Sequence, residues 1–342
     1  MNETKRWYIT NDQSVNKNII EEAADVLRTG STVAFPTETV YGLGADATSE
    51  KAVAKIFEAK GRPQDNPLIA HVATKEQLQR LVKDVPEYVD KLIEAFAPGP
   101  ITFVLPSNGT CADNVTAGLS TVGVRIPDHP IAQQLLKACD IPVAAPSANL
   151  SGKPSPTTAE HVWEDLQGKI AGLVDGGATG VGVESTVIDC TQEMPIILRP
   201  GGITKEQLED VVDRVMVDPA LANDQEKPKA PGMKYTHYSP EVPLWVVKGS
   251  VDHIKSIIGK EIKAGKRVGV LASTKIADQL DINPTISLGE NLQEVAANLY
   301  DGLRKFKQSD VDLIICQAFS EEGIGQAIMN RLRKAATLYI DE

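Results

Sequence analysis

Apolar residues recur at helical spacing in some stretches of this chain, fall into short β-branched runs in others, and the two kinds alternate. Ile19, Ile20, Ala23, Ala24, Val26 and Leu27 repeat on a helical period and Gly30 supplies a stop, which predicts a helix over residues 18–29. A strand is expected at 32–35, then a helix around 49–59, a strand at 68–72 and helices before Pro98. Strands at 101–105 and 122–126, a helix at 131–139 and a strand at 142–145 continue the series. That alternation predicts an α/β domain. The runs 185–189 and 196–199 have too little chain between them for a helical crossover, so they should pair antiparallel and make the sheet mixed.

The pattern breaks at residues 218–240, which carry Pro219, Pro228, Pro231 and Pro240 and few aliphatics, and read as an extended linker. Beyond it, strands are expected at 244–247, 267–271, 285–288 and 312–316. Helices are expected at 251–264, 292–306 and 323–336, with a short helix after the second strand. This is the layout of a small doubly wound, Rossmann-like unit, without the G-x-G-x-x-G that would point to a dinucleotide. The expected organisation is an α/β domain over residues 1–215, a proline-rich linker over 216–241 and a smaller α/β domain over 242–342.

Length supports this division, because 342 residues is about twice an ordinary domain. With 35 Lys and Arg against 46 Asp and Glu, the net charge of −11 repels a nucleic-acid backbone unless basic residues are segregated. The first twenty residues hold no apolar stretch of signal-peptide length, and no run approaches a membrane helix, so a cytoplasmic protein is expected. Cys111, Cys139, Cys190 and Cys316 are too far apart for a CxxC pair and read as buried thiols.

Candidate chemistry sits where predicted elements end. Lys60-Gly61-Arg62 places two cations between a helix and a strand; by itself it is equally an ordinary helix cap. Ala145-Pro146-Ser147-Ala148-Asn149 ends a strand with small residues, hydroxyl and amide groups, which suits either a ligand or a solvated turn. Arg125 interrupts the apolar run 122–126, where a charge requires an internal carboxylate or an anionic ligand. His71 interrupts the run 68–72 in the same way, as a core histidine or a functional one. No Walker phosphate loop is present, yet hydroxyls, guanidinium groups and an ammonium are what a nucleotide and an amino acid need.

The order of these clusters resembles one family. The stretch STVAFPTETVYGLGADATSEKAVAKIFEAKGRPQDNPLIAHV (31–72), TVGVRIP (121–127), APSANLSG (145–152), ESTVID (184–189) and LRPGG (198–202) are similar to the YrdC-like threonylcarbamoyl-AMP synthases. The resemblance covers residues 15–215, and APGMKYTHYSP (230–240) with the C-terminal domain is similar to the long, two-domain branch. It implies a twisted mixed YrdC-like sheet with flanking helices. It further implies synthesis of L-threonylcarbamoyl-adenylate from L-threonine, bicarbonate or CO2, and ATP, with release of pyrophosphate. Mg2+ would sit on the leaving pyrophosphate, and the product would pass to a tRNA threonylcarbamoyl-transferase complex, with no strong direct tRNA binding by this chain.

The signature pairs Lys60/Arg62 and Ser147/Asn149 are implied for catalysis. Threonine contacts are implied at Thr37, Thr39, His71, Arg125, Ala145 and Ser185. ATP contacts are implied at Lys60, Arg62, Asn66, Thr121, Ser147, Ser155, Arg199 and Tyr238, the last making the linker either a lid or a passive anchor. Two other readings compete: a YrdC-like carbamoyl-adenylating module as in hydrogenase maturation, and an RNA-binding translation or ribosome-assembly factor.

Overall fold

The computed structural model describes residues 3–222 and 237–342. They form two compact units: residues up to 222 make the first, except Gly152–Ser155 and Val181–Val183, which group with the C-terminal residues in the second.

The first unit is built on strands β1 (Lys5–Tyr8), β2 (Val33–Phe35), β3 (Gly42–Asp46), β4 (Ile69–His71), β5 (Ile101–Pro106), β6 (Thr121–Arg125), β7 (Val143–Ala144), β8 (Gly172–Asp175), β9 (Thr186–Asp189), β10 (Ile196–Arg199) and β11 (Met216–Val217). They lie in one sheet in the order β1-β8-β2-β3-β7-β4-β6-β5-β9-β10-β11. The sheet is mixed: β4 and β6 are parallel, β5 and β6 antiparallel, and β9 and β10 antiparallel, as the short connection between the last two required. The sheet also runs past residue 215, because Met216 and Val217 pair with Ile196 and Ile197, so the linker expected from 216 starts inside a strand.

Alternation along each strand divides its side chains between two faces. One face carries the main core, with Ala70, Phe103, Val122, Val124 and Ile188 packed against Val53, Ile56, Phe57 and Leu92 from the helices Glu50–Lys60 and Glu87–Phe96. On the other face, helices Gln13–Arg28 and Pro130–Cys139 cover Val33, Phe35, Val143 and Val174. Across β4, β5, β9 and β10 that face holds a small apolar cluster, Ile69, Val104, Val187 and Leu198. The polar residues of the candidate site surround this floor.

The second unit carries β12 (Leu244–Val247), β13 (Val268–Ala272), β14 (Thr285–Ser287), β15 (Leu313–Gln317) and β16 (Leu338–Ile340), in the order β14-β13-β15-β12-β16. Every pairing is parallel, with Val247, Val270 and Ile315 in its core beside Ile254 and Ile258 of the helix Val251–Lys263. At the start of that helix, where such a sheet offers an anion site, the Glu342 carboxylate accepts hydrogen bonds from Ser250 N at 2.9 Å and Ser250 Oγ at 3.1 Å. All four cysteines are buried and unbridged, and burial raises the pKa of each thiol. Among the described residues no helix is long and apolar enough to cross a membrane.

Candidate active site

The sequence Thr121-Val122-Gly123-Val124-Arg125 sends its two valines into the main core and its odd positions to the opposite face. A Cβ at Gly123 would lie 3.3 Å from Thr102 Cγ2 and 3.7 Å from Ile69 Cγ1, so the glycine keeps the middle of this face low. Arg125, at the end of β6, is 4% exposed. Its partner is an internal carboxylate: Arg125 Nη2 lies 2.7 Å from Glu38 Oε1. The pair is a charge contact without hydrogen-bond alignment, since Arg125 Nε, Arg125 Nη2 and both Glu38 oxygens are buried and accept or donate no hydrogen bond.

Glu38 is held by its neighbours. The Thr37 hydroxyl donates to Val40 O at 2.7 Å, using its single proton. The 2.9 Å bond between Thr37 and Thr39 must therefore be donated by Thr39, which leaves the Thr39 oxygen as an acceptor. Both threonines are buried, so this knot fixes the turn that carries Glu38.

His71 ends β4 in register with Arg125. Its Nδ1 lies 3.0 Å from Ile69 O, and because a carbonyl only accepts, Nδ1 carries the proton in that bond. Burial first, and the Arg125 charge second, lower the His71 pKa to about 3, so the ring is neutral. Phe35 packs edge-on against it, with ring centroids 6.4 Å apart.

A second buried cluster lies where β5, β9 and β10 meet. Arg199 Nε and Nη2 donate to Ser185 O at 3.1 and 2.9 Å, and Nη2 donates to Ser185 Oγ at 3.2 Å. Ser185 Oγ also lies 2.8 Å from Thr102 Oγ1. The pairing of β9 with β10 slips between Ile197 and Arg199, a bulge of the kind that re-aims a side chain.

The third cluster joins the two signature pairs. Lys60, at the end of its helix and 3% exposed, donates its ammonium to the backbone oxygens of Ser147 and Asn149, the latter at 2.6 Å. Ser151 N returns a bond to Lys60 O at 2.9 Å. Lys60 thus latches the Ser147–Asn149 loop, a different placement from a cation standing open for phosphate. Ala145 N donates to Ile69 O at 3.0 Å, and Ser147 bridges to Gly42. Arg62 is half-buried, stands over the Phe57 ring at 6.0 Å from its centroid, and reaches the backbone oxygens of Asn66 and Pro67 at 3.4 Å each. Asn66 is buried and its Oδ1 accepts no hydrogen bond; Thr121 stands half-buried at the start of β6.

Ser155 and Tyr238 belong to the second unit, where both are buried. Tyr238 stacks on Tyr300 with centroids 5.4 Å apart, an anchoring contact, while linker residues 223–236 lie outside the described residues. Sequence reasoning left Glu38, Thr102 and Tyr41 without roles. Tyr41 donates to Gly177 O at 2.7 Å. The signal for Glu38 was the unpaired charge of Arg125; Thr102 and Tyr41 carried none.

The arrangement offers one buried opposite-charge pair, several fixed hydroxyls, a neutral imidazole and three further cations, Lys60 and Arg199 buried and Arg62 half-buried. Fixed charges and hydroxyls of this kind suit the positioning of charged substrates.

A family model described as "Telomere recombination" (Sua5_yciO_yrdC) matches residues 25–201, and one described as "Threonylcarbamoyl-AMP synthase, C-terminal domain" matches residues 203–337. The chain is 52% identical over 338 residues to the threonylcarbamoyl-AMP synthase of Bacillus subtilis, spanning 97% of this chain and 98% of that one. It is 48% identical over 322 residues to the threonylcarbamoyl-AMP synthase of Pyrococcus abyssi, spanning 93% and 94%. The crystal structure of P. abyssi Sua5 complexed with L-threonine is similar at a TM-score of 0.93 and 45% identity, covering 99% of each chain.

Proposed function

Because the chain belongs to the threonylcarbamoyl-AMP synthase family in its two-domain form, we propose that the clusters around β4, β5, β6 and β9 bind L-threonine and ATP for this reaction. The protein is an enzyme: it converts L-threonine, bicarbonate and ATP to L-threonylcarbamoyl-adenylate and pyrophosphate, the first step of tRNA threonylcarbamoyladenosine modification. The observation that carries this conclusion is end-to-end similarity to relatives of that activity, over 97% of the chain in the B. subtilis case.

Arg125 receives the threonine carboxylate through its guanidinium fork, with Thr39, His71, Ala145 and Ser185 around the rest of the amino acid and Thr37 bracing Thr39. The neutral His71 orients substrate and does not act as the base. The carbamate oxygen then attacks the α-phosphorus of ATP, a step governed by alignment and by offsetting negative charge. Arg62 supplies positive charge to the phosphates. Lys60 fixes the Ser147–Asn149 loop and adds its positive charge, while Arg199 keeps Ser185 in place. Asn66 and Thr121 are further ATP contacts on the first unit.

Among the described residues no three His, Cys, Asp or Glu side chains gather as a metal site. Mg2+ carried on the ATP phosphates would help to neutralise the leaving pyrophosphate. The product passes to a separate threonylcarbamoyl-transferase. The test is incubation of purified protein with labelled bicarbonate, L-threonine and ATP: label appears in threonylcarbamoyl-adenylate, and omission of threonine abolishes it. Adenylate formation without threonine overturns the assignment.

A further inference from the structure

Glu38 has no role in the reaction as described so far, yet it is the carboxylate that faces the threonine-binding arginine. We propose that Glu38 binds the α-ammonium of threonine and removes the proton that blocks its attack on CO2; this rests on the synthase reading above.

Three observations carry it. The Glu38 side chain is 12% exposed, and both of its oxygens are buried without a hydrogen bond although Arg125 stands 2.7 Å away. A carboxylate so placed has lone pairs that want donors, and an α-ammonium brings three N–H groups. Next, threonine enters as a zwitterion, and Arg125 with Glu38 forms a buried pair of complementary charges, the cation for its carboxylate and the anion for its ammonium. The Thr39 oxygen, left as an acceptor by the Thr37 knot, sits beside Glu38 in sequence and accepts from the same amine.

The chemistry then needs a base, because an ammonium has no lone pair for CO2. His71 is held neutral by burial and by Arg125, and binds a proton too weakly to serve. His129, which feels the charges of Glu38 and Asp128, is itself held low by burial, and its Nδ1 accepts from Ile131 N at 3.2 Å. Arg125 and His129 thus face Glu38, His71 faces Arg125, and Asp128 is a second carboxylate near His129, but Glu38 is the one paired with the threonine-binding arginine.

The proton passes from R–NH3+ to Glu38, giving R–NH2 and the carboxylic acid. Glu38 returns that proton to bicarbonate, which becomes CO2 and water. The amine lone pair forms the N–C bond while a C=O electron pair moves to oxygen, and the second N–H proton leaves through Glu38 to solvent. The sum is R–NH3+ plus HCO3− giving R–NH–COO−, H2O and H+.

Glu38→Gln keeps the shape and removes the charge. Threonine affinity measured by calorimetry at neutral pH should fall on the order of tenfold to a hundredfold, the scale of a lost hydrogen bond to a charged group. The turnover defect should shrink as pH rises and threonine itself becomes a free amine, a recovery that a merely structural carboxylate would not produce. Wild-type protein supplies a second measurement: 2,3-dihydroxybutanoate, in which hydroxyl replaces the amine, should bind at least about tenfold more weakly than threonine. The inference is overturned if Glu38→Gln binds threonine like the wild type with an unchanged pH profile, or if the amine-free analogue binds wild type as tightly as threonine does. A wild type that forms no adenylate at all overturns the functional reading instead.

Discussion

Arg125 is 4% exposed and lies at the end of a strand whose neighbouring valines are fully committed to the core, so its charge has to be matched locally. Glu38 matches it in this structure, and threonine does so during the reaction. Arg125→Ala should therefore weaken threonine binding by about 2–5 kcal/mol, since it also strands the Glu38 carboxylate; unchanged affinity by calorimetry would make Arg125 purely structural. His71 yields a prediction of opposite character. Its folded pKa, about 3, lies below the ordinary 6.5, so the unfolded chain binds the proton more readily than the native one. Stability should then fall as pH drops from about 6.5, on the order of 1 kcal/mol per unit, and be unaffected by His71 above that range. His71→Asn should flatten this acid limb in thermal melts from roughly pH 6 to 4; an unaltered limb would assign it to other groups. Both residues were legible as polar interruptions of apolar runs. The partner of Arg125 was not, because linear spacing does not say which of many carboxylates a turn will fold onto it.

At the level of elements, the site depends on corners where backbones approach closely. A Cβ on Gly201 would lie 2.2 Å from Thr186 N and 2.4 Å from Glu184 O, so nothing flexible can yield. Gly201→Ala should push apart the turn that holds Ser185, costing about 1–3 kcal/mol in urea unfolding and most of the activity. Gly61 has a φ of +61° but nothing within 4 Å of its would-be Cβ. Gly61→Ala should cost only about 1 kcal/mol, from the left-handed cap alone. Equal effects of the two substitutions would show that the Ser185 corner tolerates adjustment. In the second unit four of the five strands were readable to within a residue or so, as short apolar runs bounded by turns, whereas β16 at Leu338–Ile340 was missed. β3 was missed: Gly42 and Gly44 weaken its strand signal, yet a Cβ at Gly44 would meet Val143 Cγ1 at 2.7 Å and Phe35 Cε1 at 2.9 Å. Close packing, not propensity, makes that stretch a strand. β1 and β8 were missed as well.

Over the whole molecule, a net charge of −11 sets the terms on which anions are admitted. ATP, bicarbonate and threonine are small enough to meet local cations, whereas a tRNA backbone meets the summed field. Filter binding at physiological salt should accordingly detect no strong tRNA complex, and a tight, steeply salt-dependent one would revive the RNA-binding reading. The most direct test of the central claim is pyrophosphate release from ATP by the purified chain, with L-threonine and bicarbonate supplied together and each withheld in turn, beside Lys60→Ala and Arg62→Ala. Release should require both co-substrates and collapse in the two variants; release that continues without threonine, or survives both substitutions, would contradict the account.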